Sequence, residues 1–294
     1  MATLLWTIDD AGGGDTVSVP RTCEFLAARD IRATWFVVPK SGGNSMSEEW
    51  KTTLLTARDG GHDLQLHGLT HGDCYEFGPP NWPATAILPS LQTQFDNDRE
   101  DLLPRYTVNA LLARIAEGME VFHRELGLVP TCFRAPCGAI SKALFAAMAR
   151  AGLPYHSCCY ISATGYEHLR HRSGVIAQEW TNVIPHRPFR WYSRVIEAPI
   201  LNEYTWRGAS EREAEFVELA RRDLDRAVAA SAVVVLLMHT HGIADDFDYT
   251  FRLIDSIHAY AEAGGHTFAT VAELAASGAL DEVATIDGPD ILTL

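Results

Sequence analysis

The sequence predicts a parallel α/β fold, in which short strands and helices alternate along the chain. Short apolar runs rich in branched and aromatic residues are separated by stretches with helical periodicity. Several runs are continuously apolar rather than alternating, which is typical of parallel strands buried on both faces. The chain has room for about seven or eight strand–helix units, which suits a (β/α) barrel, with a doubly wound open sheet as the competing architecture.

The predicted strands are the apolar runs themselves. The first is LLWTI near the N-terminus, and VVVLLM later in the chain is the most hydrophobic. The full set comprises residues 4–8, 33–38, 63–66, 131–133, 195–200, 233–238 and 266–269.

Helical patterns lie between these runs. Residues 17–29 form one pattern, and residues 107–126 form another that ends at Gly127. Two further helix starts are indicated by pairs with capping-box spacing, Ser210 with Glu213 and Thr270 with Glu273.

No repeat, low-complexity tract or Gly/Ser linker divides the chain, so we expect one domain over residues 1–294. Two irregular stretches interrupt it, a proline-rich one at about 72–105 and a Gly-, His- and Arg-rich one at about 161–191. Long irregular segments in compact domains are often lids or binding loops. A surface insertion without a role is the alternative for each stretch.

Composition excludes several classes of protein. The formal net charge of −14 opposes the binding of phosphate backbones, so we expect no nucleic-acid partner. The longest apolar run, residues 227–238, falls short of the roughly 20 residues that span a bilayer. The opening MATLLWTIDD has no basic region before its apolar run and resembles a buried strand rather than a signal peptide. Six cysteines without a CxxC pair fit reduced thiols, so we expect a cytoplasmic protein.

Two acids end the first predicted strand. Asp9 and Asp10 stand where parallel α/β folds place their active sites. On an extended strand their side chains point to opposite sides, so one could bind a metal while the other reaches a substrate water. A solvated loop with helix-capping acids is the alternative.

Two histidines follow the strand at 63–66. The i, i+4 spacing of His67 and His71 puts both imidazoles on one side of a helical turn, close enough to share a cation. Gly68 stands where a zinc protease of this spacing would need its catalytic glutamate, which excludes that class. Two histidines and a carboxylate leave coordination positions open, as in catalytic sites. Chance placement of the two histidines is the alternative.

Three further charged or titratable residues stand at or just beyond strand ends. Arg134 could pair with a carboxylate and keep it ionised, or be an ordinary surface arginine. His239 could act as a general acid because the pKa of histidine is easily tuned around neutrality. His241 lies on the same side of an extended strand as His239, or merely packs against a loop.

Four segments in order carry a resemblance to a known family: TIDD at 7–10, GGHDLQLHGLTH at 60–71, FRAPCG at 133–138 and LLMH at 236–239. Over about residues 3–275 the chain resembles the polysaccharide deacetylase family, the NodB-homology group of family 4 carbohydrate esterases. The resemblance implies a distorted, TIM-like (β/α)7–8 barrel that binds one divalent cation, usually zinc.

The resemblance also implies roles for individual residues. The metal ligands would be Asp10, His67 and His71. Asp9 would be the general base, Arg134 its orienting partner and His239 the general acid. The backbone N–H of Cys137 would help to hold the oxyanion.

The sequence departs from the family pattern in three places. Gly68 follows the first histidine where the family usually has Ser or Thr, and Cys137 stands where an aromatic residue is common. The family's Asp/Trp-containing fourth motif is not recognisable near residues 155–161. The group that tunes His239 is therefore unassigned.

The resemblance predicts a hydrolase acting on carbon–nitrogen bonds other than peptide bonds. Its expected reaction is removal of an acetyl or formyl group from a small N-acylated sugar or related amide by a metal-activated water. Aromatic and histidine side chains are predicted to contact the substrate, namely Tyr75, Trp82, Trp180 and His241. A non-catalytic metal- or sugar-binding relative and a cyclic-amide (ureide) hydrolase of the same superfamily are the alternatives.

Overall fold

The computed structural model describes residues 1–12, 15–72, 76–78, 93, 96–169, 172, 174–191, 194–206, 208, 210–280 and 283–286. Its strands are β1 (Thr3–Ala11), β2 (Ala33–Val37), β3 (Asp63–His67), β4 (Cys132–Arg134), β5 (Tyr155–His156), β6 (Phe189–Trp191), β7 (Ile196–Glu197), β8 (Ile200–Glu203), β9 (Val233–His239), β10 (Thr267–Phe268) and β11 (Thr285–Ile286).

The helices of the described residues lie mostly between these strands. They are α1 (Ser18–Ala27), α2 (Glu48–Asp59), α3 (Arg99–Leu102), α4 (Val108–Leu126), α5 (Lys142–Ala151), α6 (Ala163–Leu169), α7 (Glu213–Ala230), α8 (Thr240–Asp245), α9 (Phe247–Ala263) and α10 (Val271–Ala276). Short 3-10 turns occupy Ser41–Gly43, Leu103–Tyr106, Pro136–Gly138 and Ser210–Arg212. No helix among the described residues is long and apolar enough to cross a bilayer.

The strands form one curled, mostly parallel sheet in the order β11-β6-β7-β5-β4-β3-β2-β1-β9-β8, with β10 beside β1. The pairing of β6 with β7 is antiparallel. Just after β5, Tyr160 forms a parallel bridge with Ile200 of β8, which brings the two ends of the central sheet together. The distorted (β/α) barrel is confirmed, and the doubly wound open sheet is not the architecture.

The central strand β1 shows why its sequence is continuously apolar. Leu4 and Trp6 belong to the largest buried cluster, whereas Leu5 packs with Phe36 in a second cluster. Alternate residues of a strand point to opposite faces, so both faces of β1 are covered. Between β2 and β9, this strand therefore carries buried apolar side chains on both faces, and the buried Thr7 among them donates its hydroxyl to the backbone carbonyl of Leu236.

Some predicted element ends differ in the structure. The capping box of Thr270 and Glu273 is present, with each side chain bonded to the other's backbone. The box predicted at Ser210 is wrong, because a 3-10 turn precedes α7 and the helix begins after Arg212 without a side-chain cap. The strand predicted at 195–200 is two strands, β7 and β8, separated by a segment that includes Pro199, which has no N–H to donate.

The ends of four strands meet at one edge of the barrel. Asp9 of β1 lies opposite His239 of β9, and His67 of β3 lies opposite Arg134 of β4. The irregular stretch at about 72–105 falls largely outside the described residues. The stretch at about 161–191 contains helix α6 and ends in β6.

Candidate metal and catalytic centre

The three predicted metal ligands lie together. Oδ1 of Asp10 is 3.2 Å from Nε2 of His67 and 3.2 Å from Nε2 of His71. The candidate ligand atoms of all three residues lie within 4.8 Å of one another. Two imidazole nitrogens and one carboxylate oxygen are a donor set that suits Zn²⁺ and leaves positions open for water and substrate. The residues present therefore fit a divalent cation.

The backbone at Asp10 explains how two neighbouring acids reach one pocket. An extended strand would send Asp9 and Asp10 to opposite sides, but Asp10 has φ +63° and the pairing of β1 with β2 shifts register there. Oδ2 of Asp9 consequently lies 4.0 Å from the same His67 Nε2 that faces Asp10. Both carboxylates thus converge on the pocket, contrary to the expectation from an extended strand.

The segment from His67 to His71 is a loop rather than the helical turn that its spacing predicts. His67 ends β3, and His71 has φ +49°. The buried carboxylate of Glu76 accepts hydrogen bonds from the backbone N–H groups of Leu69, Thr70 and His71 and from the Thr70 hydroxyl. These bonds fix a tight loop that still brings both imidazoles to Asp10.

Gly68 is required by this loop. Its φ is +65°, and a Cβ there would lie 2.5 Å from Cγ of Pro136 and 2.7 Å from Oε2 of Glu76. A serine or threonine could not occupy this position without moving the loop or the turn at Pro136. The departure from the family pattern noted at Gly68 therefore has a steric reason.

Hydrogen bonds orient the ligands. Nδ1 of His67 lies 2.9 Å from the backbone carbonyl of Arg134, and a carbonyl can only accept, so Nδ1 carries a proton and Nε2 is the nitrogen that could bind a cation. Burial by itself raises the pKa of Asp10, but hydrogen bonds with His241 and His67 outweigh it and hold that pKa well below its usual value. Burial lowers the pKa of His71. Burial also lowers the pKa of His67, but the carboxylates of Asp9 and Asp10 outweigh it and raise that pKa, so a cation at Nε2 would displace a proton. An ionised carboxylate and a neutral imidazole are the forms that bind metals.

The predicted base and its partner form a buried ion pair. Nη1 of Arg134 lies 2.6 Å from Oδ1 of Asp9 and 3.1 Å from Oγ1 of Thr7. The guanidinium also donates to the carbonyl and hydroxyl oxygens of Ser157 and lies 4.0 Å from the centre of the Phe36 ring. With Oδ1 of Asp9 held in this way, Oδ2 faces the candidate metal ligands, 4.0 Å from Nε2 of His67.

The predicted acid has the partner that the sequence left unassigned. Nδ1 of His239 donates to Oε2 of Glu203 over 2.8 Å, and Glu203 is fully buried on β8 beside β9. Its other oxygen accepts from the Thr205 backbone and hydroxyl and from the Trp206 backbone. Burial lowers the pKa of His239, but the hydrogen bond and charge of Glu203 raise it above the ordinary value. Glu203 was not predicted from the sequence; the only local signal was its place at the end of the short stretch ILNE, after two apolar residues.

His241 does not continue the strand. The chain turns into α8 at Thr240, so His241 lies on a helical turn and its Nδ1 is 3.1 Å from Oδ2 of Asp10. The Trp206 ring contacts both histidines, with centroids 4.4 Å from that of His239 and 4.6 Å from that of His241.

The remaining predicted site residues are placed less directly. Cys137 sits in the turn after β4 with φ +54°, next to the Pro136 that contacts the Gly68 loop. The indole N–H of Trp180 donates to Asp223 over 3.2 Å. This contact ties its segment to α7, and a role in substrate binding stays a prediction. Tyr75 and Trp82 lie outside the described residues.

Comparison with known proteins identifies the family. The model of the family described as polysaccharide deacetylase matches residues 2–156, more than half of the chain. The chain belongs to the polysaccharide deacetylase family, a family of hydrolases. Among curated sequences, none matches the chain significantly.

Solved structures share the fold at low sequence identity. A putative polysaccharide deacetylase from Mycobacterium smegmatis has a TM-score of 0.59 at 14% identity, covering 97% of this chain and 92% of that one. The Xyl-CE4 domain of a multidomain xylanase from the hindgut metagenome of Trinervitermes trinervoides has a TM-score of 0.53 at 14% identity, covering 95% of this chain and 91% of that one. A family 4 acetyl xylan esterase from Clostridium thermocellum, in complex with a cobalt ion, has a TM-score of 0.51 at 15% identity, covering 95% of this chain and 92% of that one.

Proposed function

We propose that this protein is a divalent-metal-dependent hydrolase that removes an acetyl or formyl group from an N-acylated sugar or related small amide. The observation that carries the proposal is the convergence of the candidate ligands Asp10, His67 and His71 with Asp9 and His239 at one edge of the barrel. The donor set favours zinc as the metal.

The contacts of the residues support the following roles. A bound divalent cation would polarise the substrate carbonyl and lower the pKa of the attacking water. Asp9 accepts the proton of that water at Oδ2, because Arg134 occupies Oδ1. The backbone N–H of Cys137 helps to hold the oxyanion as negative charge develops on it.

His239 completes the reaction by donating a proton to the leaving amine. Its Nδ1 is bonded to Glu203, so the proton leaves from Nε2. The bond with Glu203 raises the pKa of His239 against the effect of burial and so favours the imidazolium that donates this proton. A protein that only binds a metal or a sugar would need neither the Asp9–Arg134 pair nor the Glu203–His239 pair, which favours catalysis over the non-catalytic alternative.

Metal analysis combined with a substrate panel tests this proposal. Purified protein is expected to contain about one zinc per chain and to release acetate or formate from a member of a panel of N-acyl sugars and small amides. Removal of the metal by a chelator should abolish release, and added zinc should restore it. If the protein binds metal but releases no acetate or formate from any acyl donor, the proposal is contradicted and a non-catalytic metal- or sugar-binding relative is favoured.

Two substitutions separate metal binding from proton transfer. Asp10→Ala should lose the metal, whereas Asp9→Asn should keep it and lose turnover by about 10²–10⁴-fold, the range for removal of a general base. Asp59→Asn, at an exposed acid on α2, is the matched control and should change neither quantity. Full occupancy in Asp10→Ala, or full turnover in Asp9→Asn, would refute the corresponding role.

A further inference from the structure

The two carboxylate oxygens of Asp10 have different partners. Oδ1 faces Nε2 of His67 and Nε2 of His71, each 3.2 Å away. Oδ2 faces the other way and lies 3.1 Å from Nδ1 of His241. A carboxylate can only accept, so the ring N–H of His241 is the donor in this contact.

The same turn also holds the main chain of Asp10. The hydroxyl of Thr240, the first residue of α8, donates to the backbone carbonyl of Asp10 over 3.1 Å. Asp10 has φ +63°, a left-handed conformation that is unfavourable for a residue with a side chain and persists only with support from its surroundings. The turn after β9 supplies that support at both the backbone and the side chain.

The ring of His241 is itself oriented by its surroundings. Trp206 meets it edge to face, with an interplanar angle of 89°. The backbone N–H of Trp206 donates to Glu203 over 2.9 Å, which holds the main chain that carries this indole. Gly242 leaves room for this packing, because a Cβ there would lie 2.7 Å from Cβ of Trp206. The 45% exposed side chain of His241 is therefore held by its indole neighbour and by Asp10.

We propose that His241 is a positioning residue for the metal ligand Asp10, whose Oδ2 it holds by a hydrogen bond from Nδ1 so that Oδ1 faces His67 and His71. The inference rests on the metal site of the proposed function. This role is distinct from the substrate contact that the sequence predicts for His241, and from proton donation to the substrate. Partners that orient metal-binding side chains in this way typically change metal affinity about 10–100-fold when removed.

Metal affinity, rather than activity, tests the inference. The chain is stripped of metal and titrated with Co²⁺ in competition with a chromophoric chelator. His241→Ala is expected to weaken Co²⁺ binding about 10–100-fold. His241→Asn places an amide N–H near the position of Nδ1 and should stay within about threefold of the wild-type affinity, as expected for a retained donor.

The visible spectrum of bound Co²⁺ distinguishes an orienting group from a direct ligand. The wild type and His241→Asn should give the same spectrum, since His241 lies outside the ligand set. His123→Ala, at an exposed histidine on α4, is the matched control and should bind Co²⁺ like the wild type. Equal loss of affinity in both His241 variants, or a changed spectrum in the Asn variant, would overturn the inference.

The wild-type titration keeps the two proposals apart. If the wild type binds Co²⁺ and His241→Ala binds it equally well, the positioning role is overturned while the metal site stands. If the wild type binds no Co²⁺, the metal site of the proposed function is overturned, and the positioning role with it.

Discussion

Replacing Glu197 by glutamine should destabilise the protein strongly, because this residue forms a fully buried ion pair. Nδ1 of His156 lies 2.5 Å from Oε2 of Glu197, and both side chains are completely excluded from solvent. The other oxygen of Glu197 accepts the backbone N–H groups of Cys158 and Cys159. The segment fixed in this way follows Ser157, whose oxygens bind Arg134.

The size of the effect follows from the charges. Burial opposes both charged forms, but the Glu197 carboxylate raises the pKa of His156 to about 10, and His156 lowers the pKa of Glu197 to about 2. Removing one partner of a buried pair typically costs about 3–5 kcal/mol. Glutamine keeps an oxygen that can accept the two backbone N–H groups, so the loss is that of the charge pairing and of the bond that Oε2 accepts from the Trp191 indole N–H over 3.2 Å.

The pH dependence has a definite sign. The pair makes its full contribution to the free energy of unfolding between pH 4.5, the ordinary pKa of glutamate, and pH 6.5, the ordinary pKa of histidine. Above 6.5 the unfolded chain releases a proton that folded His156 keeps until about pH 10, so the contribution declines with a slope of at most about 1.4 kcal/mol per pH unit. Below 4.5 it declines again as the pH approaches the folded pKa of Glu197.

Urea denaturation of the wild type and Glu197→Gln, at about pH 5.5 and about pH 8.5, measures both the size and the sign. Glu213→Gln is the matched control, since Glu213 pairs with Arg252 on the surface, where such pairs contribute about 0.2–1 kcal/mol. The reasoning is refuted if Glu197→Gln costs no more than Glu213→Gln. The reasoning is also contradicted if the difference in the free energy of unfolding between the wild type and Glu197→Gln is larger at the higher pH.

Three further predictions concern the candidate site. Glu203→Gln removes the charge that raises the pKa of His239, so the loss of kcat/KM at high pH should move to lower pH; an unchanged profile would count against His239 as the acid. Gly68→Ala should lower the free energy of unfolding more than Gly127→Ala in denaturation experiments. Both glycines have positive φ, but of the two only Gly68 has atoms within 4 Å of an added Cβ. Equal losses in the two variants would contradict the steric argument. Arg134→Lys keeps the charge but loses the planar set of donors, so kcat should fall about 10²-fold with bound metal unchanged; wild-type kcat would show that charge alone suffices.

Much of the site could be predicted from sequence because its residues stand at strand ends. His67, Arg134 and His239 each end a strand, Asp9 and Asp10 lie just before the end of β1, and the carboxyl ends of parallel strands meet at one edge of a sheet. Local sequence therefore placed these side chains together without any knowledge of long-range contacts. The continuous apolar runs predicted a parallel α/β fold with the doubly wound sheet as an alternative, and the resemblance to the family indicated the barrel.

Residues that act through long-range contacts could not be found in this way. Glu203 is 36 residues from His239 in sequence, and only the pairing of β8 with β9 brings the two together. The spacing of His67 and His71 fits both a helical turn and a tight loop, and the helical turn was the one predicted from the sequence. The hydrogen bonds that Glu76 accepts decide between them, and no local pattern announces those bonds.

Three residues of the site share an uncommon backbone conformation. Asp10, His71 and Cys137 have φ of 63°, 49° and 54°. For a residue with a side chain this conformation costs roughly 1–2 kcal/mol, a cost that glycine avoids. Selection for thermal stability alone should thus enrich glycine at these positions and erase two of the candidate metal ligands. A library selected for both folding and turnover should retain them, so these positions are where the two requirements pull the sequence in opposite directions.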